Sequence, residues 1–327
     1  MPTYFEGDIV IAGISGRLPE SSNIEEFKEN LMKGTDMVTE DERRWKPGLY
    51  GSPSRFGKLK NLHSFDASFF KISPKQAHVM DPQLRIMLEV THEALIDAGV
   101  NPSTLKKSRT GVFIGVSASD ANDFWKSKPD GYEWLGSSIA MMANRISYTF
   151  DLIGPSFSVD TLCSSSLTAM HQAVVAIRTG DCDAAIIGGL NIVLNPVHYL
   201  HYHKKNMLST EGKCKSFDIS ADGYVKAEAV VAIYLQKMTD ARRVYATVMN
   251  TTINADGYKP EGIMYPNGDI QYLMLQKIYN EVNIDPKDIV YVEAHGSGTR
   301  AGDPEELGAI DRLFCKDRKT PLLIGSV

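Results

Sequence analysis

The chain has 327 residues, enough for about two domains or one internally duplicated domain. Its 43% apolar and 23% charged residues are those of an ordinary globular protein, and 26 Gly with 15 Pro exclude collagen-like and low-complexity classes. The net charge of −5 argues against a strongly basic nucleic-acid binder, and the longest apolar run, Ala229 to Leu235, is far short of the ~20 residues of a membrane helix.

The opening Met-Pro-Thr-Tyr-Phe-Glu has neither a basic n-region nor an apolar h-region, so a cytoplasmic protein is expected. Asp8 to Ile14 reads as a buried strand. A capping box, Ser22-x-x-Glu25, then opens a helix that stops at Gly34. Residues 36–77 carry turn signals and read as irregular. Asp81-Pro82 is an N-cap with Pro at the first helical position, and Leu84, Met87, Leu88, Leu95 and Ala98 follow at helical spacing up to Gly99.

Thr110–Val116 reads as a second buried strand and Phe157–Asp160 as a short third. Leu167, Met170, Val174 and Ile177 mark a helix face closed by Gly180. Strands are expected at 184–188, 230–235, 244–251, 289–293 and 322–325, with an acid-rich helix start at Asp303-Pro-Glu-Glu. The alternation predicts an α/β protein, and the lack of a Pro- or Ser-rich linker predicts one compact unit.

Four cysteines are spaced widely, without a CxxC pair, and are expected as free thiols. Cys163 stands out, because Asp160-Thr-Leu-Cys163-Ser-Ser-Ser-Leu167 falls between a strand and a helix. An elbow at a helix N-terminus gathers free N–H groups and the positive dipole end, which favour a thiolate and supply an oxyanion donor. Two roles are open to it: nucleophile, or small apolar core residue. Cys182, Cys214 and Cys315 have only turn, basic-surface and helix-end contexts.

Glu293-Ala-His295-Gly-Ser-Gly-Thr299 follows an expected strand, and the C-terminal ends of strands are where α/β proteins bind ligands. His295 is thus a proton or hydrogen-bond donor, or a structural residue. His198, His201 and His203 lack a fourth ligand, so no metal site is expected, and a surface or pocket-rim role is favoured. No sequence pattern names a partner for His63, His78, His92 or His171. Gly13-Ile-Ser-Gly16 is not a dinucleotide fingerprint, and no phosphate-binding loop is present.

At these motifs the chain resembles the β-ketoacyl synthases, the condensing domains of type I fatty acid and polyketide synthases. The Cys163 segment matches the family's nucleophile signature except at the position before Cys. Glu293-Ala-His295-Gly-Ser-Gly-Thr299-x-x-Gly-Asp-Pro matches its first catalytic-His signature, with Ser297 for a usual Thr. Met80-Asp-Pro-Gln-Leu-Arg85, Gly154-Pro-Ser156, Gly188-Gly-Leu-Asn191 and Phe217 to Tyr224 also match, while Lys226 and Ala229 replace a usual Arg and Gly. Arg43 to Tyr50, Gly57-Lys-Leu-Lys, Pro74 to His78 and Met141 to Ile146 are similar to the animal fatty acid synthase branch.

The resemblance implies a thiolase-like fold of two duplicated halves in an αβαβα arrangement, each with a mixed five-stranded sheet. The halves would be residues 1–243 and 244–327. The family continues beyond the last strand with a Lys-Ser-Asn-x-Gly-His segment and a later oxyanion loop. The second half is therefore expected to be incomplete at Val327, and the isolated polypeptide inactive. The resemblance further implies decarboxylative condensation on Cys163, with its N–H in the oxyanion site, His295 acting on the malonyl thioester, and Thr299 and Ser297 binding substrate. No cofactor or metal is expected for this domain. The implied partners are an acyl carrier protein bearing phosphopantetheine, acyl and malonyl thioesters, and a second copy of the chain, with no nucleic acid or membrane. A polyketide synthase domain of the same chemistry and a non-catalytic synthase-like protein are the alternatives.

Overall fold

The computed structural model describes residues 7–126 and 131–327. The N-terminal hexapeptide read for a secretory signal lies outside them. In chain order the elements begin with β1 (Ile9–Arg17), α1 (Ile24–Met32), β2 (Val38–Thr39), β3 (Phe56–Gly57), α2 (Pro74–Val79) and α3 (Pro82–Asp97). Then come β4 (Thr110–Val116), α4 (Asp120–Lys126), α5 (Glu133–Ser137), α6 (Ile139–Phe150), β5 (Ser156–Val159) and α7 (Ser165–Thr179). Next are β6 (Ala184–Asn191), α8 (Pro196–Lys204), β7 (Ala229–Lys237) and β8 (Ala246–Thr247). The last are α9 (Gly268–Val282), β9 (Tyr291–Glu293), α10 (Gly302–Ile310) and β10 (Leu323–Gly325). No helix of the described residues is long and apolar enough to cross a membrane.

The chain divides into two compact units, where one had been expected. Each is assembled from three separate stretches, so no single linker exists for composition to betray. Of the described residues, the first unit holds those within 1–39, 57–195 and 227–249, and the second holds 40–56, 196–226 and 250–327.

The first unit is built on a mixed six-stranded sheet of order β5-β4-β6-β7-β1-β8. β5, β4 and β6 run parallel, and β7, β1 and β8 continue the sheet antiparallel. The sixth strand is only Ala246–Thr247, a remnant of the strand expected over 244–251. Helices cover both faces, which is why β4 is buried at every position. On one face Leu84, Met87, Leu88 and Leu95 of α3 pack with Met142 and Ile146 of α6. On the other, Ala169, Ala173, Val174 and Ile177 of α7 pack on Phe113 and Ile187. β1 lies close under α3 because Gly13 has no Cβ; one there would sit 2.0 Å from the Ala94 carbonyl oxygen.

The capping of α1 is shifted by one residue from expectation. Asn23 accepts from Glu26 N, and Glu26 Oε2 accepts from Ser22 N, so Asn23 is the cap and Glu26 the reciprocal partner. Asp81 caps α3 as expected, with Oδ1 accepting from Gln83 N at 2.7 Å.

In the second unit β9 and β10 pair in parallel, Tyr291 opposite Leu323 and Glu293 opposite Gly325. Asn267 caps α9 by accepting from Asp269 N and Ile270 N. α9 meets α10 where Gly268 N donates to Glu305 Oε2 at 2.7 Å, and Tyr279 packs edge-on against Phe314. Trp45 stacks on Phe56 with ring centroids 4.9 Å apart, and both lean on the buried Tyr199 of α8.

Candidate active site

The candidate residues fall in both units: the first holds Cys163, and the second holds His295, Ser297 and Thr299. Cys163 sits in the 3-10 turn Leu162–Ser164 that carries the end of β5 into α7, and it is exposed. A thiol packed in the core would be buried, as Cys182 is. The turn is strained: Leu162, the residue at which the nucleophile signature departs from its family, holds φ at +55°. A left-handed residue with a branched side chain is costly and persists only where its surroundings hold it.

Those surroundings are polar and local. Leu162 N donates to Asp160 Oδ1 at 3.1 Å, and the Leu162 carbonyl accepts from Ser165 Oγ at 2.7 Å. Ser165 Oγ in turn accepts from Thr161 N at 2.9 Å, and Ser164 Oγ donates back to the Thr161 carbonyl at 3.0 Å. The Ser run therefore stitches the elbow. Backbone glycines bring it onto the sheet: a Cβ at Gly115 of β4 would lie 2.5 Å from the Ser165 carbonyl carbon and Ser166 N. A Cβ at Gly189 of β6 would lie 3.1 Å from Ser166 Cβ. The N-terminus of α7 thus stands over the C-terminal ends of three parallel strands with Cys163 at its mouth. Among the described residues the Cys163 N–H meets no backbone acceptor.

The other thiols lie elsewhere. Cys182 is buried, and burial pushes its thiol up to about 11. Cys315 is likewise raised by burial. Cys214 is half-buried and accepts from Val225 N at 3.4 Å.

His295 follows β9 and is exposed. Its loop is clamped by side chains. Glu306 of α10 accepts His295 N at 2.7 Å and Gly296 N at 2.9 Å. The His295 carbonyl accepts from Ser326 Oγ, and the Gly296 carbonyl from Ser216 Oγ. Asp303, itself buried, accepts Gly298 N at 3.0 Å and Phe217 N at 2.7 Å. Gly298 has φ +67°, and a Cβ there would overlap the Cys214 carbonyl oxygen at 1.6 Å. The acidic start of α10 was expected to answer the helix dipole; it also anchors this loop, which no local pattern announced.

Thr299 Oγ1 accepts from Gly302 N at 3.1 Å and lies 3.1 Å from Ser297 Oγ. A hydroxyl that accepts in this way keeps its proton to donate. Ser297 and Thr299 thus form a hydroxyl pair beside His295 in sequence, at the N-terminus of α10.

His198 and His201 share one side of α8 with ring centroids 6.2 Å apart. Among the described residues, no three His, Cys, Asp or Glu side chains are placed to hold a metal. Lys226, which replaces a usual Arg, lies with Nζ 3.6 Å over the Tyr202 ring. Two histidines without an expected partner have aromatic ones: His78 meets Trp125 and His92 meets Phe69, both edge-on.

Two family models match: the N-terminal domain of β-ketoacyl synthase over residues 6–241 and its C-terminal domain over 245–327. A goose (Anser anser anser) fatty acid synthase is 52% identical over 322 residues, covering 98% of this chain and 92% of that one. A polyketide synthase of Bacillus subtilis is 39% identical over 358 residues, but this chain covers only 8% of it. The solved ketosynthase from module 6 of the Bacillus subtilis bacillaene synthase superposes with a TM-score of 0.89 at 35% identity. A Streptomyces albus oxazolomycin ketosynthase does so with 0.89 at 37%. The chain spans 56% and 58% of the lengths of those two solved chains.

Proposed function

The chain belongs to the β-ketoacyl synthase family, and we propose that it carries the condensing step of a fatty acid synthase, with Cys163 as nucleophile. The Cys163 thiolate attacks the carbonyl of an acyl thioester. The tetrahedral oxyanion is held by backbone N–H groups including that of Cys163, and collapse expels the carrier thiolate, leaving an acyl-Cys163 thioester. A malonyl thioester then loses CO₂, its electron pair passing into an enolate. His295 donates a hydrogen bond to the enolate oxygen, and the Thr299 and Ser297 hydroxyls contact the malonyl carboxylate. The enolate carbon attacks acyl-Cys163, and the thiolate leaves as the β-ketoacyl thioester forms.

The single observation that carries this reading is the exposed Cys163 on a strained elbow at the mouth of α7. The thioesters would be presented on the phosphopantetheine of an acyl carrier protein, in the cytoplasm. The fatty acid reading is favoured over a polyketide one by the 52% identity to the goose enzyme. A homodimer is supported by β5, an edge strand that carries the exposed Phe157, and by the exposed Tyr148 and Ile153 near it in sequence.

The test is mass spectrometry of the full natural chain after incubation with an acyl thioester, followed by radiolabelled CO₂ release from malonyl thioester. An acyl adduct on Cys163 and loss of both signals in Cys163→Ser are expected. An adduct elsewhere, or no adduct, overturns the assignment and favours a non-catalytic synthase-like protein.

A further inference from the structure

The segments that follow β4 and β6 are held by buried side chains. Four consecutive N–H groups after β6 end on three of them. Ile192 N donates to Gln83 Oε1 at 3.1 Å, and Val193 N to Glu228 Oε1 at 3.2 Å. Leu194 N and Asn195 N both donate to Asp120 Oδ2, at 2.8 and 2.9 Å. Gln83 also reaches the other segment, because its Nε2 donates to the Ala118 carbonyl at 2.9 Å and to Asp81 Oδ2 at 3.3 Å. Asp81 Oδ2 in turn accepts from Ser119 Oγ at 2.5 Å. Gln83 is 2% exposed and Asp81 1%, so bulk water does not serve these groups.

The segment Ser117–Asp120 is also the one that touches the elbow. Ser117 Oγ lies 3.4 Å from the Leu162 carbonyl and 3.4 Å from Ser165 Oγ. The left-handed Leu162 needs neighbours that hold it, and Ser117 is one that comes from outside its own turn. Asp120, itself in the first segment, accepts two N–H groups of the second, and Gln83 of α3 bonds to both segments at once. Its amide alone has the donor and acceptor that a carbonyl on one side and an N–H on the other require.

We propose that Gln83 is a positioning residue for the nucleophile elbow: by joining the Ala118 carbonyl to Ile192 N it fixes Ser117 against Leu162, and so aims Cys163. The proposal rests on the reading of Cys163 as nucleophile, but it is read out through a reaction that needs no catalysis.

Gln83→Met keeps the length and burial of the side chain and removes both the donor and the acceptor. In the full natural chain, iodoacetamide alkylation of Cys163, followed by peptide mapping, should slow roughly tenfold while the thermal melt stays cooperative. Ser117→Ala should slow it in the same direction. In the double variant the loss should not exceed that of the larger single variant, because both act along one path. Losses that multiply, or wild-type alkylation in Gln83→Met, overturn the proposal. Should Gln83→Met not fold, Gln83→Glu decides in its place. It keeps the acceptor for Ile192 N, loses the donor to Ala118, and should show the same non-additivity with Ser117→Ala. A wild-type chain that is alkylated at Cys163 but never acylated there would overturn the nucleophile reading alone, and the alkylation rates would still decide the role of Gln83.

Discussion

Glu306 Oε1 accepts the backbone N–H of His295 at 2.7 Å, while Oε2 accepts the next N–H, that of Gly296, at 2.9 Å. One carboxylate therefore fixes the peptide that orients the imidazole. Glu306→Gln is nearly isosteric but sets an NH₂ against one of these N–H groups. Release of CO₂ from malonyl thioester should fall roughly tenfold, as expected when a partly buried N–H loses its acceptor. Acylation of Cys163 should be unchanged, since the role proposed for His295 lies in the malonyl step. Equal loss of both reactions would show that Glu306 supports the fold and not His295 in particular.

Two glycine substitutions separate packing from backbone strain. At Gly115 a Cβ would meet the start of α7 at 2.5 Å, so Gly115→Ala must push the elbow off the sheet. It should destabilise by about 1–3 kcal/mol and lower Cys163 acylation. Gly180, the C-cap of α7, has φ +79° and nothing within 4 Å of a Cβ. Gly180→Ala should cost about 1–2 kcal/mol of strain and leave acylation intact. Denaturant melts and acylation rates measured on both variants check the pair; similar acylation losses would detach the elbow from its seat on β4.

Much of the first unit was legible because its signals are local. Thr110–Val116 reads as a buried strand and is β4 to the residue, and Asp81-Pro82 announces α3. The strand expected over 244–251 shrank to two residues, Ala246 and Thr247, which stand in register with Ile11 and Val10 of β1. Periodicity reports burial and says nothing of how far a partner strand extends. Cys163 was legible from the strand-to-helix transition, but the φ of Leu162 was not, since no rule places a leucine in the left-handed region. The clamps were least legible of all. Gln83 and Ile192 are 109 positions apart, and nothing local in either segment names the other.

Asp81 gives the first unit a pH signature. Burial raises its carboxyl above the usual carboxylate range, with Asp120 adding to the effect and the hydrogen bonds from Ser119 and Gln83 opposing it. In the unfolded chain an Asp titrates near ~3.9. As pH rises past that value, the unfolded state releases the proton before the folded state does. The folded state then binds more protons, so this group makes stability fall with rising pH until its raised native value is passed. Asp81→Asn should remove that slope. Denaturation midpoints taken from about pH 4 upward should decline in the wild type relative to the variant; parallel curves would mean that Asp81 is ionised in the folded chain throughout.

The four thiols should separate cleanly under substoichiometric iodoacetamide. Cys163 is exposed at the elbow, whereas Cys182 is buried with its thiol pushed up to about 11. A group with that value is almost wholly protonated at neutral pH, and the thiolate is the nucleophile, so Cys182 should stay unlabelled until the chain unfolds. Cys315 is raised in the same direction by burial and should lag. Cys214 is the informative competitor. It is half-buried, and its sulfur already accepts the Val225 N–H, which occupies one approach to it. Cys163 should therefore be labelled first, and prior loading with an acyl thioester should protect it alone. Peptide mapping after a single short pulse reads all four sites at once. Labelling of Cys214 at the same rate, or protection spread over several cysteines, would mean that neither exposure nor the elbow sets Cys163 apart, and the residue-level case for Cys163 would fall with it.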